Sequence, residues 1–174
     1  MAGHNRWVQI KRKKAKDDSA KSRIFSKFAN NISIAAKQDP NPEFNPTLRS
    51  AVERARAEGM PQENIERAIK RAKENANLEE MLLEIYGPEG SGMLVETVTD
   101  NTNRTVNEIK ALIKDYEAKL GTPGSLAWSF EKTENGYASK FPQAVSETAR
   151  EKIQELIDAL GDRDDIKEIY TNCL

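Results

Sequence analysis

The residues best suited to chemistry lie in the first sixteen positions, MAGHNRWVQIKRKKAK. Arg6, Lys11, Arg12, Lys13, Lys14 and Lys16 supply cations, and the chain's single histidine, His4, and one of its two tryptophans, Trp7, stand among them. Lys21, Arg23 and Lys27 continue the run, opposed over this stretch only by Asp17 and Asp18. Cations at this density need counter-anions. A nucleic-acid backbone is the densest biological source, because each contacted phosphate releases a condensed counterion. An indole adds stacking on an unpaired base, worth roughly 1–3 kcal/mol, and His4 can stack or donate to a phosphate. Basic residues interleaved with aromatics therefore point to single-stranded or folded RNA. The alternative use of Trp7, with Val8 and Ile10, is packing on apolar surface nearby. Fully extended, such an arm reaches about 55 Å.

Other chemistries find little material. One His and one Cys give no cluster of zinc ligands, and no Ser-His-Asp or Cys-His signature is present, so neither an enzyme nor a metal or cofactor is expected. The stretch GPEGSG lacks the Lys-Ser/Thr ending of a phosphate loop and leads into a strand, which makes it a turn. A second anion or partner site is expected at Asn101, Thr102, Asn103 and Arg104. These residues open a helix whose unpaired N–H groups favour negative charge, although capping explains Asn101 equally well.

Composition frames these readings. The chain has 174 residues, 37% hydrophobic and 32% charged, with a net charge of −1. That near-neutral sum hides a dipole: residues 1–77 hold 17 Lys and Arg against 9 Asp and Glu, whereas residues 78–174 hold 10 against 19. A basic segment joined to an acidic one suits a protein in which one part meets polyphosphate and the other stays off it. No apolar run is long enough for a membrane span and no signal peptide is recognisable, so a cytoplasmic protein with no membrane partner is expected. Cys173 alone forms no internal disulfide, in keeping with a reducing compartment.

Periodicity supplies the elements that must position these residues. Three units are expected: a flexible basic arm at 1–16, a helical bundle at 17–77 and an α+β domain at 78–174. In the bundle, Ile24, Phe25, Phe28, Ile32, Ala35 and Ala36 mark a first helix over about 19–37, with Asp17, Asp18 or Ser19 as its cap. Lys16, Arg23 and Lys27 are expected to project away from that stripe and to meet phosphate, whereas Lys21 lies in line with it and its stem should cover apolar surface. Prolines in DPNPEFNP break the helix, Asn45-Pro46 starts a second that Gly59 ends, and a third begins at Pro61. Beyond residue 78 the period falls toward 2, and the order ββαββαβ is expected. MLLEIYG and GMLVETVTD read as strands, 102–120 as a helix, and SLAWSFEK as a strand through Leu126, Trp128 and Phe130. An Asn135-Gly136 hairpin turn, a helix capped by Ser146 and the strand IKEIYTN complete a mainly antiparallel sheet with helices on one face.

Several stretches carry a resemblance: MAGHNRWVQIK, DPNPEFNPTLR, EIYGPEGSGMLVETVTDNTNRT and LGTPGSLAWSFEK, together with Lys14, Asp18, Phe25 and Lys27. In these the chain resembles the YebC/PmpR family over nearly its whole length. The resemblance implies either of two activities, transcriptional regulation through DNA or translation-factor action on the ribosome. It also implies three domains, but after SFEK this chain passes through TENGYASKF almost directly to the closing helix, so the inserted third domain is expected to be absent near 132–142. Asn5 and Arg6 stand where the family usually has Ser-Lys, and Gln38 where a glycine-rich loop is common. The leading expectation is a ribosome-associated regulator contacting rRNA or tRNA through the arm. A DNA-binding transcriptional regulator is the alternative, and an adaptor that uses the acidic domain to bind proteins is a further one.

Overall fold

The computed structural model describes residues 18–74, 77–134 and 136–173. Three helices come first: α1 (Asp18–Ala36), α2 (Pro46–Ala57) and α3 (Gln62–Glu74). At 12 and 13 residues α2 and α3 are too short to be stable alone, so the apolar stripes of the three must meet. Phe28, Ile32 and Ala35 of α1, Leu48, Val52 and Ala55 of α2, and Ile65, Ala68 and Ala72 of α3 form one buried cluster. The Ser33 hydroxyl donates to the Ala68 carbonyl at 2.7 Å, which ties α1 to α3 within it.

Both ends of α2 form as the residue types dictate. The Asn45 side chain accepts from the Leu48 N–H at 3.0 Å, and its amide donates to the carbonyls of Ala35 and Asp39, both at 2.8 Å. One asparagine thus caps α2 and closes the end of α1. At the other end Gly59, at φ 80°, lets its N–H return to Arg56 and that of Met60 to Ala55, a Schellman closure with Met60 buried beneath it.

The second part is built on a four-stranded sheet of order β3-β1-β2-β6, with β1 (Glu79–Tyr86), β2 (Gly92–Thr99), β3 (Lys119–Leu120) and β6 (Ile166–Thr171). Each adjacent pair is antiparallel. Alternation along the strands sends Leu83, Ile85, Met93 and Val95 to one face, where α4 (Thr102–Lys114) and α5 (Glu147–Gly161) cover them with Ile109, Ile113, Ile153, Leu156 and Leu160. The opposite face is covered by the chain after β3, including the hairpin β4 (Phe130–Thr133) and β5 (Gly136–Ser139). There Leu94, Leu126, Phe130 and Tyr170 form a separate cluster.

The bundle followed by an α+β sheet agrees with the class expected from sequence, as does the turn at GPEGSG, which joins β1 to β2 through a 3-10 turn at Pro88–Gly90. Two expectations need correction. The helix expected over 102–120 ends at Lys114, because Ala118 N–H closes back on Ile113 O and Glu117 takes φ 56°, freeing Leu120 to pair with Ile85 as β3. The strand expected over SLAWSFEK begins only at Phe130; Ala127–Ser129 is a 3-10 turn. The reason is Glu84. This buried carboxylate on β1 accepts from the backbone N–H of Gly124 (2.5 Å), Leu126 (2.5 Å) and Ala127 (2.9 Å), so those donors are unavailable to a strand ladder.

Candidate nucleic-acid interface

His4, Arg6, Trp7, Lys11, Arg12, Lys13, Lys14 and Lys16 lie outside the described residues. Their reading rests on residue type and charge alone. Of the cations expected to meet phosphate, Arg23 and Lys27 are described, and both point toward the sheet domain. Lys27 projects away from the apolar stripe but corrects the expectation that it is free to meet phosphate: it is 4% exposed and its Nζ donates to the Gly161 carbonyl at 2.5 Å. The physical reason is favourable pairing between an ammonium and the last carbonyls of a helix, which carry partial negative charge. Arg23, a turn earlier, is half-exposed and faces Asp162 at 3.5 Å; Asn30, a turn later, donates to the Asp164 carbonyl at 3.3 Å. The spacing of residues 23, 27 and 30 places them on one face of α1, and that face is the seam against the turn from α5 to β6. A fourth contact, Lys37 Nζ to the Leu78 carbonyl at 2.5 Å, fastens the far end of α1.

Asn101, Thr102, Asn103 and Arg104 stand at the start of α4, with Asn101 as its N-cap. Asn101 accepts from the Arg104 N–H at 3.0 Å, while the Arg104 guanidinium pairs with Asp100 at 2.7 Å. Arg104 reaches the rim of a cleft of about 370 Å³ between α1, α4 and the α5–β6 turn. Its wall carries Arg23, Arg104 and Arg163 against Glu108, Asp162, Asp164 and Asp165. Arg163 pairs with both Glu108 and Asp165. Three cations facing four carboxylates make a self-neutralising seam rather than a field that draws anions.

The electrostatics of the sheet are set by two glutamates of opposite behaviour. Burial raises the cost of charge on Glu84, but the three backbone N–H groups and the Ser125 hydroxyl at 3.5 Å outweigh it and hold the carboxyl below its usual range. On β2, burial pushes Glu96 up, with Glu168 and Glu80 adding like charge, while Lys167 at 3.9 Å opposes the rise. At the turn, Glu89 is held down by the Ser146 N–H (2.8 Å) and hydroxyl (2.7 Å), which clamps the β1–β2 turn onto the start of α5.

Sequence reading missed the environment of Trp128. Alternation with Leu126 and Phe130 marked it as a strand residue, whereas it is 64% exposed beside Phe141, itself 58% exposed, with ring centroids 5.6 Å apart. The missed feature was the turn at Gly124–Ala127 that the Glu84 carboxylate holds, legible only once Glu84 is seen to reach it.

Comparison with known proteins agrees with the fold. A family model described as the TACO1/YebC protein N-terminal domain matches residues 5–75, and one described as the TACO1/YebC second and third domain matches residues 78–135. A probable transcriptional regulatory protein of Akkermansia muciniphila is 45% identical over 136 residues, covering 76% of this chain and 54% of that protein. One from Thermotoga maritima is 42% identical over 160 residues, covering 90% of this chain and 59% of its own length. The corresponding protein of Persephonella marina is 39% identical over 183 residues, with coverage of 98% and 73%. The chain thus spans little more than half the length of the first two of these curated relatives. A crystal structure of a conserved hypothetical protein from Aquifex aeolicus superposes with a TM-score of 0.83 at 26% identity, over 90% of this chain and 91% of that one. Two family models that match residues 5–75 and 78–135, and relatives above 40% identity across most of its length, place this chain in the TACO1/YebC family.

Proposed function

We propose that this chain is a nucleic-acid-binding regulator of gene expression that acts as a ribosome-associated translation factor, contacting rRNA or tRNA through the basic run at its N-terminus. The observation that carries the reading is the segregation of charge, 17 cations against 9 anions in residues 1–77 and 10 against 19 in residues 78–174, with His4 and Trp7 inside the most basic stretch. An anionic backbone is attracted to the first part and repelled by the second, which orients the molecule on its target before any contact forms. Unpaired bases suit an indole better than a duplex does, which favours RNA.

Binding to DNA is the second reading, favoured by the name its relatives carry, probable transcriptional regulatory protein. Ribosome co-sedimentation over a salt series, with the full chain and a variant lacking residues 1–16, tests the first reading, and titration with duplex DNA in the same buffers tests the second. Salt-dependent co-sedimentation that is lost with the arm supports the translation role. Tight binding to duplex DNA with no ribosome association would overturn it.

A further inference from the structure

The described surface carries one pair of exposed aromatic rings in contact, Trp128 and Phe141, and it lies far in sequence from the basic run. Its construction differs from that of a stray surface hydrophobe. The indole N–H donates to the Ser125 carbonyl at 2.9 Å, so the polar handle of Trp128 is already used and only ring surface faces outward. The backbone beneath is rigid: Glu84 holds the N–H groups of Gly124, Leu126 and Ala127, and the Lys140 ammonium donates to the Trp128 carbonyl at 3.2 Å. An aromatic ring fixed before binding loses little conformational freedom when a ligand stacks on it.

Charge identifies the ligand class. Residues 78–174 total −9, yet the segment 119–143, which contains both rings and Lys140, carries Lys119, Lys132 and Lys140 against Glu131 and Glu134, a balance of +1. The rest of the acidic half therefore carries −10, and the aromatic pair occupies a stretch of it that is not negative. An exposed indole face beside the Lys140 ammonium, with no hydrogen-bond donor left on the ring, matches an unpaired base followed by its phosphate, read by stacking and charge rather than by base edges.

We propose that Trp128 and Phe141, with Lys140, form a second contact for single-stranded RNA, in which a base stacks on Trp128 and the adjoining phosphate meets the Lys140 ammonium. This rests on the RNA-binding reading above and extends it to the sheet domain. The chain contains only two tryptophans, which permits a direct test. In Trp7→Phe, all indole emission comes from Trp128. That variant is titrated with a labelled oligouridylate while label anisotropy and indole emission are followed together, and a parallel arm uses oligothymidylate. Emission is expected to be quenched in step with the anisotropy. In the otherwise unaltered chain Trp128→Ala should weaken oligouridylate binding roughly tenfold, with Trp128→Phe restoring part of the loss. Anisotropy that rises while Trp128 emission stays constant would overturn this contact and leave the RNA-binding reading intact; no anisotropy change with either oligomer, in Trp7→Phe and in the unaltered chain alike, overturns both. Quenching by oligothymidylate alone, or emission that shifts with protein concentration alongside dimer formation, would reassign the surface to DNA or to a second copy of the chain.

Discussion

The ammonium of Lys27 donates to the carbonyl of Gly161, 134 residues away, and so joins the first helix of the bundle to the last turn of α5. A cation on the most basic helix thereby serves the joint between two parts of the protein and is withdrawn from solvent. Lys27→Met keeps most of the buried stem and removes the donor, leaving a helix-terminal carbonyl short of a partner, which costs roughly 1–3 kcal/mol. The expected result is a lower melting temperature with no change in the salt slope of RNA binding. A flatter slope with unchanged stability would show that Lys27 meets phosphate after all.

Glu84 yields a prediction with a defined pH window. Its carboxyl is held below the ordinary value of 4.5, so its contribution to stability is fully present above about pH 4.5 and is lost as the pH falls through the lower folded value. Glu84→Gln replaces one acceptor oxygen by a donor facing N–H groups and should destabilise by roughly 2–3 kcal/mol at neutral pH, since hydrogen bonds to a charged group are lost inside the fold. Chemical denaturation of both proteins from pH 7 down to pH 3 checks this: the gap between them is expected to be constant to about pH 4.5 and to narrow below it. A gap independent of pH would assign the loss to packing alone.

Much of the fold was legible because burial and period coincide. The stripes Phe28–Ile32–Ala35, Leu48–Val52–Ala55 and Ile109–Ile113 are buried where their spacing places them, and Asn45, Asn101 and Ser146 cap the helices that follow them. Failures came where a polar group far away in sequence imposed the local conformation. Nothing within SLAWSFEK announces that Glu84, some forty residues earlier, will take its amide hydrogens. Likewise the polar face of α1 gives no sign in its own sequence that a helix terminus awaits Lys27. At the interface, a cation on a solvent-facing helical position and one facing a partner element have the same spacing, so periodicity cannot separate them.

Gly136 tests whether the β4–β5 hairpin is held against the sheet by one close approach. It adopts φ 117°, and a Cβ there would stand 2.1 Å from the Tyr170 hydroxyl oxygen and 2.4 Å from the carbon bearing it. Tyr170 is 7% exposed and packs edge-on against Tyr137 at 5.3 Å, so it has no room to withdraw. Gly136→Ala is expected to cost more than about 1 kcal/mol from backbone strain and overlap together. Gly124→Ala is the control: its φ of 84° is also positive, but a Cβ meets nothing within 4 Å, so only the strain remains. Thermal melts should rank Gly136→Ala below Gly124→Ala, and the reverse order would exclude the Tyr170 contact as the cause.

Trp7 separates stacking from plain charge attraction. If the indole stacks on a base, Trp7→Ala weakens RNA or ribosome binding by roughly 1–3 kcal/mol and leaves the salt slope almost unchanged, since no phosphate contact is removed. Changing Lys13 and Lys14 to Ala has the opposite signature: the slope flattens by up to about two phosphate contacts, and the loss of affinity shrinks as salt rises. A Trp7 that instead packs on apolar surface of the fold would lower the melting temperature when truncated, whereas a stacking Trp7 leaves it alone. Both quantities are measured on the one Trp7→Ala variant, with the Lys13, Lys14 double variant as the electrostatic reference. Weaker binding at an unchanged melting temperature and an unchanged slope is the expected outcome. A lower melting temperature with intact binding would make Trp7 an anchor for an arm that binds by charge alone.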